Sequence, residues 1–150
     1  MKDVVKGNIP VAKTAEEASD ADVCGCVTQS QDPFFQYSRF RPGQFLFPMG
    51  SYQECTDECI LKADKIVVDH VGQTLHRGAL GKLGDQGKIT EKSIFATIGD
   101  LAYGTKKLGE ADKNDRTICV PIGTGGMATG VAATAMGSRT AKKHAGPSNV

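Results

Sequence analysis

The sequence predicts an α/β fold, a partial Rossmann-like, mostly parallel sheet with flanking helices. Two observations lead there. Short apolar runs recur at residues 9–12, 23–27, 45–49, 66–69 and 118–122, and most are continuous, as in strands covered on both faces. Helix-start signals fall between the runs, and strand alternating with helix over short connections is the pattern of a layered α/β domain.

Each element has a local reason. Thr14-Ala15-Glu16-Glu17 reads as a capping box, in which the Thr14 hydroxyl and the Glu17 carboxylate each satisfy an end amide. Thr56 followed by Asp57 and Glu58 opens a second helix, with negative charge at the end the helix dipole favours. From Thr90 onward Ile94, Ile98 and Leu101 recur at helical spacing, and Gly104 is placed to end that helix. Residues 75–87, rich in glycine, are expected as a broken helix and a loop. A last helix is expected over about residues 127–145. Small residues in its first half allow close approach to a sheet, and Arg139, Lys142 and Lys143 match the dipole at its end.

A chain of 150 residues supports one hydrophobic core, so residues 1–150 are read as a single domain. Eighteen Lys and Arg against 17 Asp and Glu leave a net charge of +1 without a long run of one sign, which argues against a nucleic-acid or membrane-surface binder. A small molecule or another protein chain is the expected partner. No apolar stretch approaches the roughly 20 residues that span a bilayer, and Met1-Lys2-Asp3 lacks the apolar segment of a secretory signal. The expected location is cytoplasmic. Five cysteines cannot all pair, which suggests reduced thiols. Cys24 and Cys26 share a strand face, and Cys55 and Cys59 share a face of a helix start. Neither pair has the two-residue gap of a zinc knuckle, so small buried hydrophobes are favoured and no metal site is expected. Asp69, His70, His76 and Arg77 could suggest a metal or an acid/base pair, but His70 and His76 lie on different faces at helical phase with no third ligand near, and all four read as structural.

The stretch "CVPIGTGGMATG", residues 119–130, resembles a phosphate grip. An apolar run leads into Gly123-Thr124-Gly125-Gly126-Met127-Ala128, the spacing of the dinucleotide fingerprint. A true fingerprint is followed by a second strand ending in an acid about 20 residues further on. Here one helix is followed by Gly146-Pro147-Ser148-Asn149-Val150, with no apolar run and no acid. A tight strand-to-helix turn is the competing reading, and the motif alone leaves both open.

Four other stretches lie in series: "ADVCGCVTQSQDPFF", "RPGQFLFPMGSYQE", "ADKIVVDHVGQTLHRGALGKL" and "SIFATIGDLAYGTK". In order and spacing they resemble the second half of the ornithine cyclodeaminase/mu-crystallin family, over roughly residues 9–145. The resemblance implies the carboxyl-terminal part of a Rossmann NAD(P)-binding domain. The family's amino-terminal substrate and dimerisation domain and its pyrophosphate loop are then expected to be absent from this chain. It also implies that Gly123 to Ala128 is a look-alike at the last strand, where the family carries a Ser-x-Gly turn beside the nicotinamide. Ile122 and Gly123 become cofactor candidates on that ground. The family Ser is replaced near Pro121, and the Asp of its following helix falls near Gly130 or Val131.

The resemblance assigns further residues. Thr28 and Ser30 keep the family's Thr-x-Ser turn after a strand, which implies contact with adenosine or phosphate; a plain ST-turn is the alternative. Gly50, flanked by Met49 and Ser51, lets the backbone pass close to the nicotinamide ring. In the cyclodeaminases an Asp two residues after this Gly acts in acid/base chemistry on the substrate amine, and Tyr52 stands there instead. A phenol ionises near about 10 and is a poor base at neutral pH, but it donates protons. Tyr52 is therefore the candidate catalytic residue, with packing against the loop as the alternative. Family members with an aromatic residue here look more like imine reductases or amino-acid dehydrogenases.

The implied function is that of an oxidoreductase portion using NAD or NADP on small amino or imino acids, by C=N reduction or the reverse. The alternatives are a true ornithine cyclodeaminase, turning ornithine into proline and ammonia with bound NAD, and a non-catalytic fragment or binding domain. The isolated chain is expected to be inactive. Two structural expectations follow. Thr28, Ser30, Gly50 and Ser51 should gather at the carboxyl edge of one parallel sheet. If residues 23–27 are the fourth strand of the order 3-2-1-4-5-6, their free edge invites a homo-oligomer or else leaves the isolated chain marginally stable, and without the pyrophosphate loop the chain is expected to bind NAD(P) weakly if at all.

Overall fold

In a computed structural model, residues 10–123, 129 and 131–136 are described. Five strands, β1 (Val23–Cys26), β2 (Phe45–Pro48), β3 (Lys65–Val68), β4 (Ala96–Thr97) and β5 (Thr117–Val120), form one parallel sheet in the order β1-β2-β5-β3-β4. The last strand in sequence thus lies at the centre. Its register places Thr117 beside Phe45 on one side and Lys65 on the other. All four β5 residues are buried, as are three of four in β3, whereas β1 and β2 bury alternate residues. Continuous apolar runs therefore mark the central strands, and the outer pair keeps one face open.

The helices are short: α1 (Ala15–Ala18), α2 (Asp57–Leu61), α3 (Val71–Thr74), α4 (Gly81–Asp85) and α5 (Ile98–Tyr103). Thr14 caps α1 by accepting from the Glu17 amide at 3.2 Å, while Glu17 reaches back to the Lys13 amide at 2.8 Å. Thr56 precedes α2, but its hydroxyl turns to the Cys59 thiol at 3.3 Å instead of capping the helix. Residues 75–87 form a one-turn 3-10 helix at Gly78–Leu80 and then α4, and their Leu75, Ala79, Leu80 and Leu83 enter the core.

Three expectations are corrected. The helix from Thr90 does not form as one piece. Thr90 and Ser93 close a short capped 3-10 turn, the Phe95 amide donates to the Ile66 carbonyl, and Ala96–Thr97 joins the sheet as β4. Helix α5 begins only at Ile98, capped by a box between Thr97 and Asp100, and it ends at Gly104 in the left-handed conformation (φ 76°). Sheet pairing outbid helical spacing because residues 94–97 carry apolar side chains that serve either element. Residues 10–12 of the first apolar run form no strand; Pro10 has no amide to donate to a ladder. Cys55 precedes α2 and forms a parallel bridge with Phe35 rather than opening the helix.

All five cysteines are buried and free. Burial pushes the Cys26 and Cys119 thiols up to about 11. Residues 129 and 131–136 are helical; the rest of the expected last helix lies outside the described residues. Strand β1 pairs only with β2 among the described residues, so its outer edge is open there, with Val23 and Val27 exposed. No helix among the described residues is long and apolar enough to cross a membrane.

Candidate active site at the carboxyl edge

Because every strand is parallel, the segments after β1, β2, β3 and β5 leave the same edge of the sheet. Thr28, Gly50, Asp69 and Gly123 begin these segments, and two carboxylates tie them in pairs. The first is Glu54, which is fully buried. Its Oε1 accepts from the Thr28 amide at 2.6 Å and the Thr28 hydroxyl at 2.7 Å, and its Oε2 accepts from the Gly50 amide at 2.8 Å. The backbone aims this side chain: the Phe34 and Phe35 amides both donate to the Glu54 carbonyl, and the Thr56 amide donates to Phe35. The second is Asp69, whose Oδ2 accepts from the Gly123 amide at 2.7 Å and whose Oδ1 accepts from the His70 amide at 2.8 Å. Charge-assisted bonds of this kind are among the stronger ones in proteins.

The expected gathering of Thr28 and Gly50 is present, and Glu54 is its cause. A Cβ on Gly50 would come within 2.6 Å of the Glu54 carboxyl carbon. Glycine is thus required here because Glu54 occupies that side of the backbone. Thr28 and Ser30 also form the local turn: the Ser30 amide donates to the Thr28 hydroxyl oxygen at 3.3 Å, and the Ser30 hydroxyl donates to the Asp32 carbonyl at 2.8 Å. Both hydroxyl protons are committed within the protein, so Thr28 and Ser30 shape a wall and do not offer free donors.

Met49, Gly50 and Ser51 after β2, Pro121 and Ile122 after β5, and Arg77-Gly78 from the segment after α3 line a cleft of about 150 Å³. Four residues expected from the sequence, Met49, Gly50, Ser51 and Ile122, thus meet there. Gly123 lies beside it with φ 80° and nothing within 4 Å of a hypothetical Cβ. Thr28 and Ser30 do not line the cleft, and Thr28 is tied to it only through Glu54. Tyr52 is half exposed, and its phenol makes no hydrogen bond among the described residues. The glycine run beyond Gly123, up to Ala128, lies outside the described residues. Sequence reasoning missed Glu54, and it set Asp69 and Arg77 aside as parts of a structural strand end and crossover. His70 accepts from the Gln73 amide at the start of α3, and His76 pairs with Asp85 at 2.8 Å. Both are structural, and no group of three metal-ligating side chains occurs among the described residues.

An alanine dehydrogenase from Archaeoglobus fulgidus is 35% identical over 103 residues, which cover 66% of this chain and 32% of that protein. A solved archaeal alanine dehydrogenase dimer with bound NAD is 33% identical with a TM-score of 0.60, over 73% of this chain and 34% of that one. A probable ornithine cyclodeaminase from Bordetella pertussis is 28% identical with a TM-score of 0.61, over 74% of this chain and 36% of that one. Over that share of their length the chain is similar to proteins of the ornithine cyclodeaminase/mu-crystallin family. No family model matches it. The chain spans about a third of the length of the curated relative it matches. The α/β core corresponds to a partial Rossmann-like fold, and the site described above lies where open parallel sheets bind ligands, at the carboxyl ends of the strands.

Proposed function

We propose that the chain supplies the nicotinamide half of a dinucleotide-binding domain in an oxidoreductase that works on the C–N bond of small amino or imino acids. The observation carrying this reading is the carboxyl-edge cleft, whose Gly50 backbone is fixed by Glu54 and whose opposite wall is fixed through Asp69 and Gly123. It is too small for a whole dinucleotide and suits one end of it. The relatives favour NAD or NADP as cofactor, since the archaeal alanine dehydrogenase carries NAD. When bound, the cofactor supplies the hydride acceptor or donor. Met49, Gly50, Ser51, Ile122 and Gly123 are the residues we assign to the nicotinamide end, with Thr28 and Ser30 forming the wall toward the adenosine side.

Tyr52 is assigned as the proton donor. In the reducing direction the substrate nitrogen gains a proton as its carbon gains hydride, and we assign that proton to the phenol two residues beyond Gly50, which makes no hydrogen bond among the described residues. A phenol in place of a carboxylate suits that role better than base-assisted release of ammonia. The domain is read as the carboxyl-terminal part of the nucleotide-binding unit, with substrate and dimer contacts made by segments outside it. The β1 edge, open among the described residues, favours self-association of the isolated chain.

The test uses the full-length gene product. It should consume NAD(P)H with Δ1-pyrroline-2-carboxylate, or with pyruvate and ammonia, and Tyr52→Phe should lower kcat with little change in cofactor affinity. Multiple turnovers of ornithine to proline and ammonia with catalytic NAD would overturn the reading in favour of a true cyclodeaminase.

A further inference from the structure

Two carboxylates stand behind the carboxyl-edge cleft, one on each side, and neither is paired with a cation among the described residues. Glu54 is fully buried behind Gly50 and accepts from three neutral donors, the Thr28 amide at 2.6 Å, the Thr28 hydroxyl at 2.7 Å and the Gly50 amide at 2.8 Å. Asp69, half-buried just after β3, accepts from the Gly123 amide at 2.7 Å, the His70 amide at 2.8 Å and the Thr74 hydroxyl at 3.4 Å. Gly123 follows Ile122 of the cleft lining. Amide and hydroxyl dipoles hold a carboxylate in place and leave its net charge uncancelled. That charge reaches neighbouring groups. Burial first and the Glu54 charge second hold the Cys26 thiol up to about 11, and burial followed by the Asp69 charge does the same for Cys119. The cleft lining carries one ionisable residue, Arg77, which is exposed, so water screens its charge.

We propose that Glu54 and Asp69 make this cleft select the oxidised, positively charged nicotinamide ring over the reduced, neutral one. The two forms are close in shape and differ by one full charge on the ring. Contacts that read shape bind both nearly alike, and a fixed charge is what separates them. A charge held in a water-poor wall acts on a neighbouring ion more strongly than one in bulk solvent. This inference rests on the nicotinamide reading of the cleft above. It deepens that reading by naming the redox form the site prefers and the two residues that set the preference. Each acts across the backbone it holds, as a positioning residue and not a catalytic one.

The test measures, by calorimetry on the full-length gene product, the dissociation constants of both forms of the cofactor it binds, NAD+ with NADH or NADP+ with NADPH. The parent is compared with Glu54→Gln and Asp69→Asn, which remove each charge at nearly constant shape. Damage to the fold or to the loops weakens both forms by the same factor and cancels in the ratio of the two constants. The expected result is a preference for the oxidised form that falls by about fivefold or more in each variant, with the loss concentrated on the oxidised form. Where Glu54→Gln fails to fold, Asp69→Asn carries the same comparison. Equal losses of both forms overturn the proposal and leave the nicotinamide reading standing, and so does a ratio that moves the other way. Unchanged affinity for both forms in the folded variants overturns the nicotinamide reading as well, as does a parent protein that binds neither form.

Discussion

Gly50 and Glu54 form a pair whose coupling can be measured. Gly50 lacks a left-handed φ, so its backbone accepts an alanine, and the obstacle is the Glu54 carboxyl group, 2.6 Å from the new Cβ. A long side chain would ordinarily swing away. Here three bonds of 2.6, 2.7 and 2.8 Å pin it. Gly50→Ala must therefore break or stretch at least one charge-assisted bond, at roughly 1.5–3 kcal/mol. Glu54→Gln keeps one acceptor and turns an NH2 toward the Gly50 or Thr28 amide, leaving two donors face to face at a cost of about 2–3 kcal/mol. In a Glu54→Ala background the added methyl fills vacated space, and Gly50→Ala should then cost less than about 0.5 kcal/mol. The predicted coupling is at least about 1 kcal/mol, read from urea denaturation of the two single variants and the double. Additive effects would refute the claim that Glu54 dictates glycine at this position.

Asp69→Asn should cost about 1.5 kcal/mol in the same assay, because an amide NH2 cannot accept from both Gly123 and His70; a loss under about 0.3 kcal/mol would show that the β3–β5 tie is dispensable. The raised thiols give a pH dependence of definite sign. Unfolded thiols ionise near 9.0, whereas Cys26 and Cys119 hold their protons up to about 11. Their contribution is full below pH 9 and is lost as pH rises toward 11, by about 2 kcal/mol per thiol. A Cys26→Ala/Cys119→Ala variant should lose less stability than the parent between pH 8.5 and 10.5, and equal losses would contradict the assignment.

How far the sequence foretold this molecule depends on the range of the interactions concerned. The runs at residues 23–27, 45–49, 66–69 and 118–122 are strands because β-type side chains in series serve a covered sheet whatever their neighbours. Strand β4 was hidden: two residues, Ala96 and Thr97, sit inside a row of Ile94, Ile98 and Leu101 whose spacing fits a helix, and only pairing to Val67 and Val68 decides between them. The same limit applies at the site. Thr28 and Gly50 were visible through turn chemistry and family resemblance, but Glu54 bonds a residue 26 positions away and nothing local separates it from the surface acids around it. Its one signal is its place between Gln53 and Cys55, just ahead of the buried Cys59 and Ile60. Arg77 was set aside with its neighbouring histidines, because the cleft it lines is closed by β2 and β5, both distant in sequence.

The most direct test of the account is a backbone amide NMR titration of the chain with NADH. The account predicts shifts concentrated at Met49, Gly50, Ser51, Ile122 and Gly123, with smaller changes at Thr28 and Ser30, and none at the amino-terminal edge around Gln44 and Thr117. Shifts centred on that opposite edge, or no shift at millimolar cofactor, would contradict it.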